Sequence, residues 1–547
     1  MKKLEYWKYC LIIVSIILFA SVTVIGQTYI TGGDVSGTWI SAGSPYYIQG
    51  EITIPSTETL TIEPGVDVVF LGHHKFNVQG RLLAVGTQQD SISFTADSIE
   101  IGWHGIRFNY TLNTNDTSKI VYCSFKYGKA NTGVSSSWDR CGGAILIGAF
   151  DKVFISDCLF ENNMNNGDIT ALTGGAAIYI KYASPTITNS TFINNLGTTD
   201  CAILSLYSSV NIADINPIIS NNIFMNNNGP HAPITSCYNN AIISGNFISG
   251  NVTTRAGGGI FTMTTNAIIT NNIIVNNQCF GGEGEGGGIK CWINDQAIII
   301  NNTIAYNSAT KGGGICFNQN SDPILINNII WGNTAVDGNQ VNLLKATSDP
   351  YFYFCDIQGG KEGFGGSGAG VNYTGDYENN IDSDPVFVDA TSADFHLSDY
   401  SPCIGKGIDS VEIGGTMYYC PSSCYYGGPR PNPSGSMPDI GACESPLADP
   451  ISVIDEALSF EHYILLQNYP NPFNPRTSIQ YTIGSRHLVT LKVFDVLGNE
   501  IAILVNEEKL PGEYEVEFIG NNLTSGIYFY QFKAGDFIST KKMLLLK

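Results

Sequence analysis

The chain has 547 residues, with 27 Lys+Arg against 48 Asp+Glu and a formal net charge of −21. This excess of negative charge disfavours nucleic acid or an anionic membrane surface as a partner. Hydrophobic residues make up 43% of the sequence and charged residues only 14%, which excludes a disordered, charge-rich chain. The length predicts either several globular modules or one long stack of repeats.

The N-terminus has the layout of a secretory signal peptide. Lysines precede the apolar run 11–20, and a small-residue site ends at Gly26, where we expect cleavage. We therefore assign residues 1–26 to a signal peptide. The alternative is a retained membrane anchor, but the apolar run is short for a spanning helix. We expect an exported protein that is not integral to the membrane after cleavage.

A phrase rich in asparagine and isoleucine repeats through the middle of the chain. Its clearest copies occupy residues 268–277, 299–307 and 325–333. A second phrase, Gly-Gly-x-Ile, repeats in step with it and defines a unit of about 26 residues with variable insertions. Both phrases are short and rich in β-branched residues, which predicts short strands and excludes helical repeats.

Stacking these units gives a parallel β-helix, in which each strand pairs with its equivalent in the next coil, about 4.8 Å away. Equivalent asparagines then form a hydrogen-bonded ladder, and equivalent apolar residues form a file through the core. The predicted ladder is Asn163, Asn195, Asn227, Asn277, Asn307 and Asn333. The predicted core file is Phe125, Phe160, Phe192, Phe224, Phe247, Ile274, Ile304, Ile330 and Ile357.

The flanking segments extend the β-helix prediction. Residues 60–66 and 80–87 upstream, and residues 384–387 and 394–397 downstream, resemble the opening and closing segments of secreted right-handed parallel β-helix proteins of the pectate-lyase-like superfamily. The resemblance covers about residues 45–445. It implies fold better than activity, because this group includes lyases, hydrolases and adhesins. The predicted parts are an N-terminal cap with opening coils at 27–122, the β-helix repeats at 123–357, and a closing coil with loops at 358–446.

Composition changes again after a linker predicted at 447–462. The string Tyr-Pro-Asn-Pro-Phe-Asn-Pro at 469–475 precedes strands with period-two alternation, a turn at 495–498 and the strand that begins at Gly526. The pattern predicts a small antiparallel, Ig-like β-sandwich over residues 463–547, so that the whole chain is all-β.

The same C-terminal motifs closely resemble the type A C-terminal sorting domain of the type IX secretion system. The resemblance implies that residues 463–547 interact with the type IX secretion machinery. It also implies passage through the periplasm of a Gram-negative bacterium, followed by release or attachment at the outer cell surface.

Cysteine is abundant, with 14 residues, and export permits disulfides. Cys123 and Cys158 occupy equivalent positions in neighbouring coils, whose separation suits a disulfide, so we predict that this pair is bridged. A second bridge is predicted among Cys403, Cys420, Cys424 and Cys443. The alternative is a set of buried free thiols. No Cys/His spacing is typical of zinc, and we expect no metal or cofactor.

A ligand must use an outer face, because the core of a β-helix is solid. Along the Gly-Gly-x-Ile strands, the residues one and three positions after the Ile point outward. Aromatic rings stack on sugars, and ammonium groups pair with uronate carboxylates. The predicted carbohydrate-binding residues are Tyr179, Lys181, Phe261, Lys290 and Trp292. The alternative is that long insertions cover these rings.

The case for an enzyme is weaker. β-helix polysaccharide lyases need a basic side chain to abstract a proton and a cation to neutralise the uronate. Residues of a suitable type for the base are Lys181, Lys290, Lys311, Arg140 and Arg255. Clustered Asp ligands do not accompany them, and the paired-Asp strings of polygalacturonases are absent, so no catalytic residue is assigned. We expect Arg255, Glu285 and Lys311 to form solvated charge pairs.

The leading hypothesis is therefore a secreted or cell-surface protein that binds polysaccharide or another surface through an outer face of the β-helix. One alternative is a polysaccharide-degrading enzyme, a uronate lyase rather than a glycoside hydrolase. A second alternative is a structural stalk or adhesin without a groove for small ligands.

Overall fold

The computed structural model describes residues 26–130, 137–165, 174–198, 204–207, 215–451, 463–483, 487–509, 512–535 and 537–547. All but the last residue of the predicted signal peptide lie outside these ranges. The described residues form two compact units, one ending at Ile451 and the other covering 463–547. Their helices are single 3-10 turns at Ser41–Gly43, Ser137–Arg140, Lys361–Gly363, Gly370–Asn372 and Ala390–Ser392.

The larger unit contains three long parallel sheets, here called sheets 1, 2 and 3. Sheet 1 consists of Thr28–Ile30, Tyr46–Ile48, Asp67–Phe70, Ile92–Ala96, Cys123–Lys126, Leu159–Glu161, Thr191–Ile193, Ile223–Met225, Phe247–Ser249, Ile273–Val275, Thr303–Ala305, Ile329–Trp331 and Asp356–Ile357. Sheet 2 consists of Gly33–Asp34, Ile52–Ile54, Phe76–Val78, Ile106–Phe108, Ile145–Gly148, Ile178–Lys181, Leu204–Tyr207, Ile234–Cys237, Ile260–Met263, Ile289–Trp292, Ile315–Asn318 and Val341–Leu343. Sheet 3 consists of Gly37–Trp39, Thr59–Ile62, Arg81–Val85, Ser118–Val121, Val153–Ser156, Thr186–Thr188, Ile218–Ser220, Ile242–Ser244, Ile268–Thr270, Ile298–Ile300, Ile324–Ile326, Tyr351–Tyr353 and Tyr377–Glu378.

Each coil contributes one strand to each of these sheets in turn, and every strand pairs with its equivalent in the next coil, which is a parallel β-helix. A shorter parallel sheet, called the side sheet, is inserted between sheets 1 and 2. Its strands are Asn228–His231, Val252–Ala256, Gln278–Cys279, Ser308–Lys311 and Thr334–Asp337. Two earlier coils have a similar pair at Lys129–Ala130 and Met164–Asn165.

The predicted asparagine ladder is present at the corner between sheet 1 and the side sheet. Asn277 Nδ2 donates to Asn307 Oδ1 at 3.0 Å and to the Ile248 carbonyl of the preceding coil at 2.8 Å. The pattern repeats from Asn163 to Asn333 and includes Asn251, which the sequence analysis omitted. The interior of this corner therefore has its main-chain groups satisfied by stacked amides.

A second ladder, not predicted from the sequence, lies at the corner between sheets 3 and 1. Its members are Asn222, Asn246, Asn272, Asn302 and Asn328. In this ladder Asn272 Nδ2 donates to Asn302 Oδ1 at 2.9 Å. Two ladders on the two sides of sheet 1 fix its position relative to both neighbouring walls.

The predicted core file is confirmed with one correction. Phe125, Phe160, Phe192 and Phe224 stack with centroid separations between 4.6 and 4.9 Å. Phe224 then pairs with Ile248, not with Phe247. The prediction placed Phe247 after Phe224 because both are aromatic, and it was therefore wrong by one residue in this coil. The ladder requires Asn246 at the corner, which directs Ile248 inward and Phe247 outward.

Residues after the last coil do more than close the stack. Phe364, Tyr373 and Tyr377 pack on the end of the core. Residues 382–451, here called the strap, return along the outside of the stack and contain the antiparallel pairs Phe387–Asp389 with Asp394–Leu397 and Ser410–Ile413 with Thr416–Tyr419.

The strap is held by asparagines that have left-handed backbone conformations in successive coils. Asn271, Asn301 and Asn327 donate to the carbonyl oxygens of Ser423, Asp439 and Ile408 at 2.8, 3.1 and 2.9 Å. A buried ion pair, Arg430–Glu444 at 2.7 Å, lies within it. The strap contacts several coils, so it stabilises their stacking laterally.

The cysteines assigned to disulfides have free thiols in the structure. Cys123 and Cys158 lie at equivalent positions of adjacent strands, and their Sγ atoms donate to the carbonyl oxygens of Ala84 at 3.4 Å and Ser156 at 3.1 Å. Cys403, Cys420, Cys424 and Cys443 are also free. The structure contains neither bridge among these cysteines. Both bridges stay predictions, which non-reducing peptide mapping can test.

The smaller unit is an antiparallel sandwich, as predicted. One sheet consists of Ile464–Leu465, Arg476–Ile483 and Gly512–Ile519, and the other of Glu500–Lys509, His487–Phe494, Gly526–Ala534 and Phe537–Leu545. The two sheets share one core that includes Phe473 and Tyr530. The Tyr530 hydroxyl donates to the Leu466 carbonyl at 2.9 Å. The Asp495 carboxylate accepts main-chain hydrogen bonds within the predicted turn.

Candidate functional site

The candidate site lies on the outside of the stack, where the side sheet meets sheet 2. Glycine triplets begin at Gly257, Gly286 and Gly312, which have φ values of 65°, 74° and 62°. A Cβ atom at the next glycine, Gly258, would lie 1.9 Å from the Gly287 carbonyl oxygen of the adjacent coil. Only glycine permits this close approach. The tight turns bring the ends of the side-sheet strands close to the start of sheet 2.

Two rows of side chains therefore face each other across this corner. One row follows the end of the side sheet, where bridges connect Ala256, Glu285 and Lys311 in successive coils. The other is the first outward row of sheet 2. Strand pairing places Thr235, Phe261, Lys290, Cys316 and Asn342 in this row, one per coil.

A groove of about 500 Å³ begins at these rows and extends across the outer face of sheet 2 to Trp292, Asn318 and Lys345. Its ionisable side chains are those of Arg255, Lys290, Lys311, Lys345, Glu283, Glu285 and His231. Four fixed cations thus face two carboxylates, although the whole chain has a net charge of −21. The groove, called the basic groove below, has a local charge opposite to that of the protein.

Glu285 and Lys290 form the innermost ion pair of the groove. The side chain of Lys290 is 2% exposed and that of Glu285 is 15% exposed. Burial opposes the charged form of Lys290, but the Glu285 carboxylate and the hydrogen bonds that Lys290 donates to Glu285 and Cys316 favour it more, and its pKa lies above the usual value. Lys290 Nζ also donates to Cys316 Sγ at 3.7 Å. Burial raises the pKa of Cys316 to about 11, so this residue is a neutral thiol at neutral pH.

Three rings line one part of the basic groove. The His231 ring stacks on Phe261 with centroids 5.4 Å apart, and Phe261 lies 6.1 Å from Trp292. Phe261 is 4% exposed, whereas Trp292 is partly exposed. The ring available to a ligand at this position is therefore mainly that of Trp292.

The structure brings three of the five predicted carbohydrate-binding residues together. Phe261, Lys290 and Trp292 line the basic groove. Tyr179 and Lys181 lie in the same outward rows of sheet 2 but in an earlier coil, and they do not line it. Outward positions were expected to be exposed, which is wrong for Tyr179, Phe261 and Lys290, because each is buried.

The burial of Tyr179 has a local cause. It packs with Cys141 and Leu146, residues that follow an insertion in the coil before it. Leu146 is the equivalent residue of the adjacent strand, so Tyr179 is covered in part by its own outward row. Lys181 is half-buried and has its ammonium group 5.3 Å from the centre of the Tyr182 ring.

Sequence reasoning undervalued the residues contributed by the side sheet. Arg255, Glu285 and Lys311 were expected to form solvated charge pairs. In the structure Glu285 pairs with Lys290 inside the groove, and its Oε1 lies 3.9 Å from Lys311 Nζ. A signal was present, because each of these residues lies within two positions of a glycine triplet.

A second cleft, of about 340 Å³, lies nearer the N-terminus. Its charges are mixed: Lys75 and Asp139 form an ion pair at 2.8 Å. Arg107 donates to the carbonyl oxygens of Cys141 and His104, and its buried Nε has no partner among the described residues. Because cations do not predominate here, the basic groove is the stronger candidate for an anionic ligand.

Two classes of feature are absent from the described part of the chain. Within the described ranges, no group of three or more His, Cys, Asp or Glu side chains is placed to bind a metal ion. No helix in those ranges combines the length and hydrophobicity needed to cross a bilayer.

Comparison with known proteins identifies both units. Residues 176–357 match the family described as "Right handed beta helix region". Residues 467–546 match the family described as "Secretion system C-terminal sorting domain". The chain thus contains a right-handed parallel β-helix region and a type IX secretion sorting domain, and the sorting domain indicates secretion and export to the cell surface.

More specific relatives are distant. No curated protein sequence matches the chain. The crystal structure of the enzymatically active domain of tailspike protein 4 from bacteriophage CBA120 is 11% identical over 91% of this chain and 63% of that chain, with a TM-score of 0.17. The chain thus spans less than two thirds of that domain, and the likeness is too weak to support an inference about ligands.

Proposed function

We propose that the protein is exported by its sorting domain and binds an acidic polysaccharide in the basic groove. The observation that carries the proposal is the excess of cations around a partly exposed tryptophan in a chain of strongly negative net charge. Ammonium and guanidinium groups bind carboxylates or sulfates, and an indole ring stacks on the apolar face of a sugar.

The extent of the groove also suits a polymer. Its cations come from successive coils, about 4.8 Å apart, and lie at different positions across the side sheet and sheet 2. An extended polysaccharide with several anionic groups can therefore contact cations of more than one coil. Export through the type IX secretion machinery would place the groove where extracellular polysaccharide is found.

The test is binding of the full-length secreted protein to polygalacturonate, alginate and dextran sulfate, with neutral dextran as the negative ligand. We expect binding to at least one polyanion and none to dextran. Lys311→Gln and Arg255→Gln should each weaken it and lower the dependence of log Kd on log salt by about one. The matched control is Lys119→Gln, an exposed lysine on sheet 3, which should have little effect. If the protein bound none of the three polyanions, the proposal would be contradicted.

The lyase alternative needs a base, and Lys290 is unsuited to this role. Its pKa is raised, so it keeps its proton at neutral pH, whereas a base must be deprotonated before it can accept a proton. Lyase activity would be detected by the ultraviolet absorbance of unsaturated uronate products from polygalacturonate or alginate. Release of such products by the purified protein would overturn a purely binding function.

A further inference from the structure

Glu285 occupies a singular position in the basic groove. It is bridged to Ala256 on one side and to Lys311 on the other, and it immediately precedes a glycine triplet. Its carboxylate contacts Lys290 Nζ and lies 3.9 Å from Lys311 Nζ. One carboxylate thus partly neutralises two of the four cations of the groove, the buried Lys290 and the partly exposed Lys311.

This arrangement creates competition between the protein and its ligand. A carboxylate or sulfate entering the groove seeks the same ammonium groups that Glu285 already contacts. The ligand must replace Glu285 or share its donors, and that exchange offsets part of the binding free energy. A neutral sugar has no charge with which to displace the carboxylate.

We infer that Glu285 is a built-in counterion that sets both the affinity and the charge selectivity of the groove. The inference rests on the proposed function and adds to it a residue that opposes binding. In the empty groove Glu285 compensates the buried charge of Lys290, which would otherwise be strongly unfavourable. In the occupied groove the anionic groups of the ligand take over that role, so that only polyanions bind well.

The experiment compares Glu285→Gln with Glu283→Gln on the full-length protein, using polygalacturonate, alginate and dextran sulfate as probes. Both substitutions remove one negative charge from the lining of the groove. Glu283 is exposed, and in the described part of the chain its carboxylate has no ion pair within 4.0 Å. It therefore reports the effect of net charge alone.

We expect Glu285→Gln to bind the polyanions about tenfold more tightly than the natural protein, with a salt dependence steeper by about one contact. Glu283→Gln should tighten binding by much less. Glu285→Asp, which keeps the charge, should bind like the natural protein. Circular dichroism and melting curves establish that each variant is folded.

The outcomes distinguish a failure of the inference about Glu285 from a failure of the proposed polysaccharide-binding function. If the natural protein binds a polyanion but Glu285→Gln binds it no more tightly, or more weakly, Glu285 is a structural or ligand-binding residue and the inference is overturned. An equal gain from both glutamine variants also overturns it, because the effect is then general electrostatics. If no protein binds any probe, the proposed function fails, and the inference fails with it.

Discussion

The asparagine ladders inside the stack and the first outward row of sheet 2 obey the same geometry but differ in how far their residues repeat. In the ladder that contains Asn277, every level from 163 to 333 is an asparagine. In the outward row, successive levels are Thr235, Phe261, Lys290 and Cys316. In both, equivalent residues of adjacent coils lie directly over one another.

The difference follows from what each side chain bonds to. A ladder asparagine is buried and takes part in hydrogen bonds with the coils before and after it, so one exception leaves buried partners unsatisfied. An outward side chain does not have to hydrogen-bond to the equivalent residue of the next coil. Repetition is therefore required where the fold is held together, and departure from repetition creates a local site such as the basic groove.

Replacement of one ladder asparagine tests most directly whether the interior depends on repetition. In Asn277→Leu, Asn251 loses two hydrogen bonds to Asn277 Oδ1, and the Ile248 carbonyl loses the hydrogen bond from Asn277 Nδ2. We expect a loss of about 4 kcal/mol in the free energy of unfolding, measured by urea denaturation. Gln278→Leu, at an exposed position in the next residue, is the matched control. Similar small effects for both would show that the ladder is dispensable.

The core file gives the next largest effect and tests its corrected register. Phe192→Ala removes a fully buried ring that stacks on Phe160 and Phe224, and we expect it to destabilise the protein by about 3 to 4 kcal/mol. Phe247→Ala should lower the melting temperature much less, because this half-buried ring lies outside the file. If the two substitutions were equally destabilising, the register assigned to this coil would be wrong.

Sequence alone revealed the interior better than the exterior, for a physical reason. The phrase that contains Asn272 and Ile274 repeats because ladder and file demand it, and one register error arose at Phe247, where an aromatic residue mimicked a core position. The basic groove depends on Glu285, whose equivalents in the adjacent coils are Ala256 and Lys311, so no repeated residue type marked the position. The strap could not be placed either, because the partners of Asn271 and Asn327 are far away in sequence and belong to no repeat.

Acidic groups buried in the stack give a smaller effect that depends on pH. Burial raises the pKa of Asp295 from 3.8 to about 7. The folded protein therefore keeps a proton that the unfolded chain loses above pH 4. The stabilisation is complete at low pH and is lost as the pH rises through 7, so the free energy of unfolding should fall by roughly 2 to 3 kcal/mol between pH 5 and pH 8 on account of this residue.

The corresponding test is Asp295→Asn, followed by denaturation at both pH values. Asp295 Oδ1 accepts a hydrogen bond from the Ala297 amide, and Oδ2 has no partner among the described residues, so the neutral amide can keep the useful contact. The variant should be more stable than the natural protein at pH 8 and similar to it at pH 5. Asp116→Asn, at a side chain that is 80% exposed, should leave the pH profile unchanged.

Substitution of an outward residue should change the stability least and should change ligand binding selectively. Trp292→Ala removes the partly exposed ring of the basic groove, and we expect polyanion binding to weaken about fivefold, in keeping with roughly 1 kcal/mol for one aromatic contact. Because the ring lies outside the main core, the melting temperature should remain within a few degrees. Tyr419→Ala, at a tyrosine that is 68% exposed on the strap, is the control and should change neither quantity. A different result would be normal polyanion binding by Trp292→Ala together with a much lower melting temperature. In that case the outward rows, like the ladders, would stabilise the stack, and the contrast between a repeated interior and a functional exterior would no longer hold.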